Sequence, residues 1–363
     1  MPLQAAYCKF RLNFTFEAGT SRGVLTYKDT YFIKVYKTSH PDIYGLGEAG
    51  PLLGLSLDDR RDFEAQLHQF CKSFREVDLP DKPEQITDII KKAIPDAFPS
   101  IRFGWETALL DLLLEGKRQM LPNSWSRPPF QPIPINGLVW MGNSSFMREQ
   151  IQCKLEQGFS CIKMKIGAID FESEVELLAY IRKHFSKEEI TLRVDANGAF
   201  SPGEAMKKLE ALAKYDIHSI EQPIRPGQWD QMQYLCQSSP LPIALDEELI
   251  GVSGKDQKQQ LLEELRPQFI ILKPTLLGGL AATAEWIEIA ENLNTGWWVT
   301  SALESNIGLN AIAQFTASYP VMMPQGLGTG QLYRNNIASP LYVKNGYLHW
   351  QPDKDWDLSV LKF

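Results

Sequence analysis

Apolar and polar residues alternate along the first fifty positions, most clearly in Tyr31-Phe32-Ile33-Lys34-Val35-Tyr36, which is the period-two pattern of half-buried strands. An antiparallel meander is predicted there. The spacing then changes: Phe63, Leu67, Phe70, Phe74 and Val77 recur at intervals of four and three, which predicts a helix over about 58–77 with Ser56 and Asp59 as its capping box. Ser100 is expected to cap a second helix through Trp105, Leu109, Leu112 and Leu113 that stops at Gly116. Five prolines follow (Pro122, Pro128, Pro129, Pro132, Pro134), too many for a helix interior, and they mark a domain crossing.

Beyond the crossing, short apolar or β-branched runs alternate with amphipathic stretches that open on Ser, Asp or Pro. The runs end near Asn136, Lys165, Asp195, Glu221, Asp246, Lys273, Ser301 and Met323, recurring every 25 to 30 residues from Lys165 to Ser301. Eight such units in about 200 residues predict an α/β fold of the (β/α)8 barrel type. An open doubly wound sheet shares the periodicity but would carry a Gly-x-Gly-x-x-Gly turn after its first strand, and none is present there. The tail, with strand-like Leu341-Tyr342-Val343 and a turn at Asn345-Gly346, has no place in the βα count. The predicted organisation is an α+β capping domain over 1–128, a barrel over 129–335, and a segment, 336–363, returning to the capping domain.

Composition narrows the function. Over 363 residues, 37 Lys+Arg against 44 Asp+Glu give a net charge of −7, which disfavours a nucleic-acid partner. No run of about 18 apolar residues is present, so no membrane-spanning helix is expected, and the N-terminus lacks the basic-then-apolar pattern of an export signal. The five scattered cysteines read as reduced thiols of a cytoplasmic protein. Oligomeric state leaves no mark in the sequence.

Barrel chemistry is built where the strands finish, and here those positions are charged. Lys163 and Lys165 lie on one face of their strand, so like-charge repulsion and desolvation are expected to depress a lysine pKa and make a general base. A lysine reaching solvent at a strand end is the plain alternative for the pair alone. Asp195, Glu221 and Asp246 close three adjacent strands; singly each is a cap or loop residue, but together they suit a hard divalent ion, Mg2+. None of the five histidines has metal-ligand spacing or a strand-tip position, which disfavours zinc, and His218 reads as a packed structural residue. Lys273 is a further cation ending an apolar run. The rim through Ser301, Ser305 and Gly326 offers hydroxyls and N–H groups suited to a substrate carboxylate, although turn chemistry alone explains each glycine. This equipment fits proton removal beside a carboxylate in a small-molecule substrate.

Together, Gly45-Leu46-Gly47-Glu48-Ala49, Lys163-Met164-Lys165, Asp195-Ala196-Asn197, Glu221-Gln222-Pro223, Asp246-Glu247, Lys273-Pro274 and Ser301-Ala302-Leu303-Glu304-Ser305 resemble the enolase superfamily, in its muconate-lactonising subgroup, over nearly the whole chain. The resemblance implies that Asp195, Glu221 and Asp246 hold Mg2+, with Mn2+ as a substitute. It implies that Lys165 is the base that then protonates a departing hydroxyl. Lys163 would lie near the substrate carboxylate and help lower the pKa of Lys165, and Lys273 would stabilise an enediolate. The implied reaction is dehydration of 2-succinyl-6-hydroxy-2,4-cyclohexadiene-1-carboxylate to its aromatic product in menaquinone biosynthesis. Asn197, Ser301, Ser305, Gly326 and Leu327 would contact the substrate, under a loop around 19–26. Racemases and dipeptide epimerases of the superfamily share the lysines and acids, but the Asp-x-Asp of the epimerases is replaced here by Pro324-Gln325-Gly326-Leu327-Gly328. Glu248 departs from the Ser of many relatives. A Schiff-base aldolase leaves the three acids without a role, and a non-catalytic barrel should have lost one of them.

Overall fold

The computed structural model describes residues 3–20, 23–321 and 323–363. The predicted meander is a three-stranded antiparallel sheet of β1 (Leu3–Thr20), β2 (Gly23–Lys37) and β3 (His40–Ala49). Alternation sends Ile33 and Val35 towards the helices, while Phe32 packs with Leu46 and Ile307 on the opposite face. Three helices follow: α1 (Phe63–Ser73), α2 (Pro83–Ala93) and α3 (Pro99–Leu113). In β3 the two glycines of Gly45-Leu46-Gly47-Glu48 face α3, whose Gly104 and Ala108 backbone comes too close for a side chain at either position. Leu46 and Glu48 therefore point the other way, towards the barrel.

Capping differs from the sequence pattern. α1 starts at Phe63, and Ser56 instead accepts a bond from Leu52 N–H (2.7 Å). The cap of α3 comes from outside the helix: Asp58 accepts bonds from Ser100 N (2.8 Å) and Ser100 Oγ (2.6 Å). Helix α2, opened by Pro83, carries only Ile86 and Ile90 as buried positions, too sparse a stripe to stand out in the sequence.

The second half begins at β4 (Ile133–Pro134) and alternates strands and helices: β5 (Gly137–Val139), α4 (Ser144–Glu156), β6 (Cys161–Lys165), α5 (Phe171–His184), β7 (Thr191–Asp195), α6 (Pro202–Ala213), β8 (Ile217–Glu221) and α7 (Trp229–Ser238). It continues through β9 (Ile243–Leu245), α8 (Lys255–Leu265), β10 (Phe269–Leu272), α9 (Pro274–Leu277), α10 (Leu280–Asn292), β11 (Gly296–Val299) and α11 (Asn306–Thr316). β5 to β11 form one parallel sheet in sequence order, with Lys165 level with Asp195 and Asp195 level with Glu221. The eighth position departs from the predicted unit. Among the described residues it has no strand run and no α-helix after it; Gln325 and Gly326 alone bridge the sheet edges. Asn136 N–H donates to Gln325 O (2.9 Å) and Ser301 N–H to Gly326 O (3.0 Å), closing the barrel.

The chain after residue 335 divides. The hairpin of β12 (Leu341–Lys344) and β13 (Tyr347–Trp350) pairs with β4 beside the barrel, and Leu361 then packs with Cys8, Phe32 and Leu46 of the first sheet. Among the described residues no helix is long and apolar enough to cross a membrane.

Glu106 joins the two halves. Buried on α3, it accepts bonds from Leu280 N (2.5 Å) and Ala281 N (3.0 Å) at the start of α10. Burial pushes its carboxyl up to about 7, against the opposing effect of those N–H donors. With the folded value above the unfolded one, the folded chain binds the extra proton between about pH 4.5 and 7, so this group's contribution falls as pH rises through that window. Glu106→Gln should therefore shrink the stability lost between pH 5 and pH 8 by ~2 kcal/mol, measured by urea unfolding at both values.

Candidate active site

Strand periodicity turns Lys163, Lys165, Asp195, Glu221, Asp246 and Lys273 into the barrel, the first five buried and Lys273 partly buried. They form one interleaved cluster. Lys165 Nζ lies 2.9 Å from Asp195 Oδ2 and 2.6 Å from Asn197 Oδ1. Lys163 Nζ bridges Glu221 Oε2 (2.8 Å) and Asp195 Oδ2 (3.2 Å), and Lys273 pairs with Asp246 while standing 3.8 Å from Glu221 Oε1. Asn197, in the left-handed backbone region at φ 43°, also donates from Nδ2 to Glu247 Oε1 (3.1 Å), which fixes the amide that receives Lys165.

Electrostatics corrects one expectation. Burial would pull the Lys163 ammonium down, but Glu221 and Asp195 outweigh it and hold Lys163 well above the ordinary lysine value. At Lys163 and Lys273 the neighbouring carboxylates outweigh both burial and repulsion between the ammonium groups. Asp195, despite burial, is held far below the carboxylate range by Lys165, Lys163 and Lys273. Burial and the neighbouring Asp195 push Glu221 up to about 7, with Lys163 opposing.

Lys163, Lys165, Asp195 and Lys273 of this cluster floor a cavity of about 1400 Å³. Phe16, Leu25, Leu52 and Leu53 of the N-terminal half roof it, and Ser301, Gly326 and Thr329 form one side. Of the loop predicted around 19–26, Gly23, Val24 and Leu25 line the cavity, and Ser21 and Arg22 lie outside the described residues.

The other residues expected to touch substrate divide. Asn197, Ser301 and Gly326 reach the cavity. Ser305 does not: its hydroxyl donates to Glu48 Oε2 (2.5 Å) and accepts from Ile307 N–H, because it caps α11. Leu327 is fully buried in the core. Ser301 itself donates to Glu304 Oε2 (2.5 Å) and accepts from Thr329 Oγ1 (2.8 Å). Glu248 closes a local framework, accepting from Gly227 N (2.8 Å) and Gln222 Nε2 (3.0 Å), while Gln222 Oε1 accepts from Asp246 N–H (3.2 Å). The sequence names Gln222 only within Glu221-Gln222-Pro223, without a role, and gives no sign of Trp140, whose indole lies 5.9 Å from Lys165 Nζ; an uncharged amide and a Trp carry no spacing signal. His218 packs on Phe269 (ring centroids 4.9 Å) below the site, and burial lowers it to about 4, so it is neutral at pH 7.

The matching family model, enolase C-terminal domain-like, covers residues 147–354. An o-succinylbenzoate synthase from Desulfotalea psychrophila is 47% identical over 95% of this chain and 98% of its own length. The crystal structure of MenC from the same organism superposes with a TM-score of 0.85 at 43% identity, covering 96% of this chain and 100% of that one. The chain belongs to the enolase superfamily, among the o-succinylbenzoate synthases. Its superfamily fold extends to a dipeptide epimerase from Enterococcus faecalis complexed with Mg and a dipeptide, with TM-score 0.82 and 19% identity over 98% of both chains.

The superfamily implies a divalent metal, and the donor chemistry here can be compared with that. Among the described residues no three acids, histidines or cysteines are gathered into a metal-binding group, since ammonium groups lie between the carboxylates. The donor type does fit: three oxygen-only side chains end adjacent strands, and Glu221 Oε1 is buried with no hydrogen-bond partner.

Proposed function

We propose that this chain catalyses dehydration of 2-succinyl-6-hydroxy-2,4-cyclohexadiene-1-carboxylate to o-succinylbenzoate and water in menaquinone biosynthesis. The observation that carries this reading is that Lys165 and Lys273, which both line a single cavity, reach one acid trio from its two ends, at Asp195 and Asp246.

Asp195, Glu221 and Asp246 would hold Mg2+, or Mn2+ in its place; bound there, the ion neutralises charge developing on the substrate carboxylate. Lys165 in its neutral form takes the C1 proton, and the C–H electrons pass into the carboxylate as an enediolate. Asn197 keeps the Lys165 amine aimed at the cavity when Asp195 is otherwise engaged. Lys163 and Lys273, held charged by their acids, stabilise the growing negative charge. As the C6–O bond breaks and the C1–C6 double bond forms, Lys165 returns the proton to the leaving hydroxyl. Water departs and the ring becomes aromatic, which makes the elimination favourable.

An epimerisation would need the same proton removal, and a Bacillus subtilis relative of 25% identity is named an L-Ala-D/L-Glu epimerase. The stretch Pro324-Gln325-Gly326-Leu327-Gly328, which lines the cavity through Gly326 and Gly328, has no acid to hold a substrate ammonium, and this favours dehydration. The five free thiols, four of them buried, suit a reducing cytoplasm. A coupled assay with the cyclohexadiene, run beside N-succinylamino acids and dipeptides, tests the reading. The cyclohexadiene should have the highest kcat/KM, and preference for a dipeptide would reverse the conclusion.

A further inference from the structure

Three segments that wall the cavity meet at one ammonium group away from the reacting centre. Lys28 stands on β2, at the foot of the hairpin whose Gly23, Val24 and Leu25 face the cavity. Only 5% exposed, it donates from Nζ to Ala302 O (3.1 Å) and Leu303 O (3.0 Å), both residues being cavity wall. Gly50 precedes the loop that carries Leu52, Leu53 and Gly54, and a Cβ on Gly50 would stand 2.9 Å from Lys28 Nζ and 2.5 Å from Thr30 Oγ1.

The barrel partner of this contact is itself constrained. Leu303 sits at φ 64°, a left-handed conformation that L side chains avoid and that persists where neighbours hold it. Its carbonyl takes the Tyr333 hydroxyl (2.7 Å) as well as Lys28. Burial lowers the Lys28 ammonium from the ordinary lysine value, and Glu304, Glu48 and Asp58 oppose that cost without cancelling it. An apolar side chain of the same length would fill the space without that cost, so packing alone does not account for a cation here.

We propose that Lys28 is a positioning residue for the dehydration: it pins Ala302–Leu303 against the two roof loops and thereby sets the side wall that the substrate meets. The kinetic consequence rests on the reaction proposed above; the positional one does not. Lys28→Met removes the donor while keeping the length, Lys28→Arg keeps the charge, and Gly50→Ala pushes the ammonium aside without deleting it.

Hydrogen exchange followed by mass spectrometry on the unliganded protein is the first readout. Lys28→Met should exchange ~10-fold faster at 50–55 and 301–305, with 161–165 unchanged. In turnover, Lys28→Met and Gly50→Ala should raise KM by about tenfold with kcat within roughly threefold of wild type, and Lys28→Arg should restore most of the loss. Unchanged exchange at both segments, or equal acceleration throughout the chain, overturns the proposal. So does a folded Lys28→Met with wild-type KM. If Lys28→Met fails to fold, Gly50→Ala decides by the same two measurements. If the wild type does not turn over the cyclohexadiene, the dehydration reading fails by itself and the exchange result still decides the role of Lys28.

Discussion

Replacing Lys165 by Ala should lower kcat by ~10³-fold or more, the scale of a lost general acid–base group that acts twice in one turnover. Lys165 Nζ is shared between Asp195 and Asn197, and Asp195 keeps Lys163 at 3.2 Å when Lys165 is gone. The remaining cluster therefore retains a cation beside each acid, and the fold should survive. Steady-state kinetics, circular dichroism and calorimetric titration with Mg2+ together check the claim. Loss of turnover with folding and metal affinity retained supports the assignment, whereas a kcat within about tenfold of wild type removes Lys165 from the base role.

Removing the metal should silence the wild type. Dialysis against a chelator is expected to abolish turnover, and added Mg2+ to restore it. Asp195→Asn should raise the Mg2+ needed for half-maximal rate by roughly 100-fold, at or beyond the loss seen when groups around a metal site are altered. Asp195 is well placed for so large an effect, since three lysines hold its carboxyl ionised where an amide could not compete. Glu221→Gln should act in the same direction, because it removes the charge from a buried carboxylate whose Oε1 accepts no hydrogen bond. Full activity in the presence of excess chelator would refute the metal assignment for all three acids.

Periodicity carried much of the architecture. β6, β7 and β8 end on Lys165, Asp195 and Glu221 as the apolar runs indicated, since a buried parallel strand has to turn polar where it leaves the barrel. β9 and β10 stop one residue short of Asp246 and Lys273. The eighth position was less legible: Gln325 and Gly326 bridge without a strand run, so no apolar run of useful length marks them. A cap whose partner is distant leaves no local pattern, as with Asp58 reaching Ser100 from 42 residues away. Ser305 shows the same limit at the site. The sequence offered a hydroxyl near the rim, but only the fold reveals that Glu48, 257 residues earlier, has already claimed it.

The thin closure at Gln325–Gly326 separates two kinds of heritable change. The proton-handling floor rests on strands hydrogen-bonded to a neighbour on either side, where a shifted residue disturbs two ladders. Across from it, the seam borders the cavity through Gly326 and is tied by single bridges to the end of β11 and to the stretch before β5. Selection can therefore redraw which molecule fits by editing the seam, while the chemistry underneath passes unaltered from one specificity to the next.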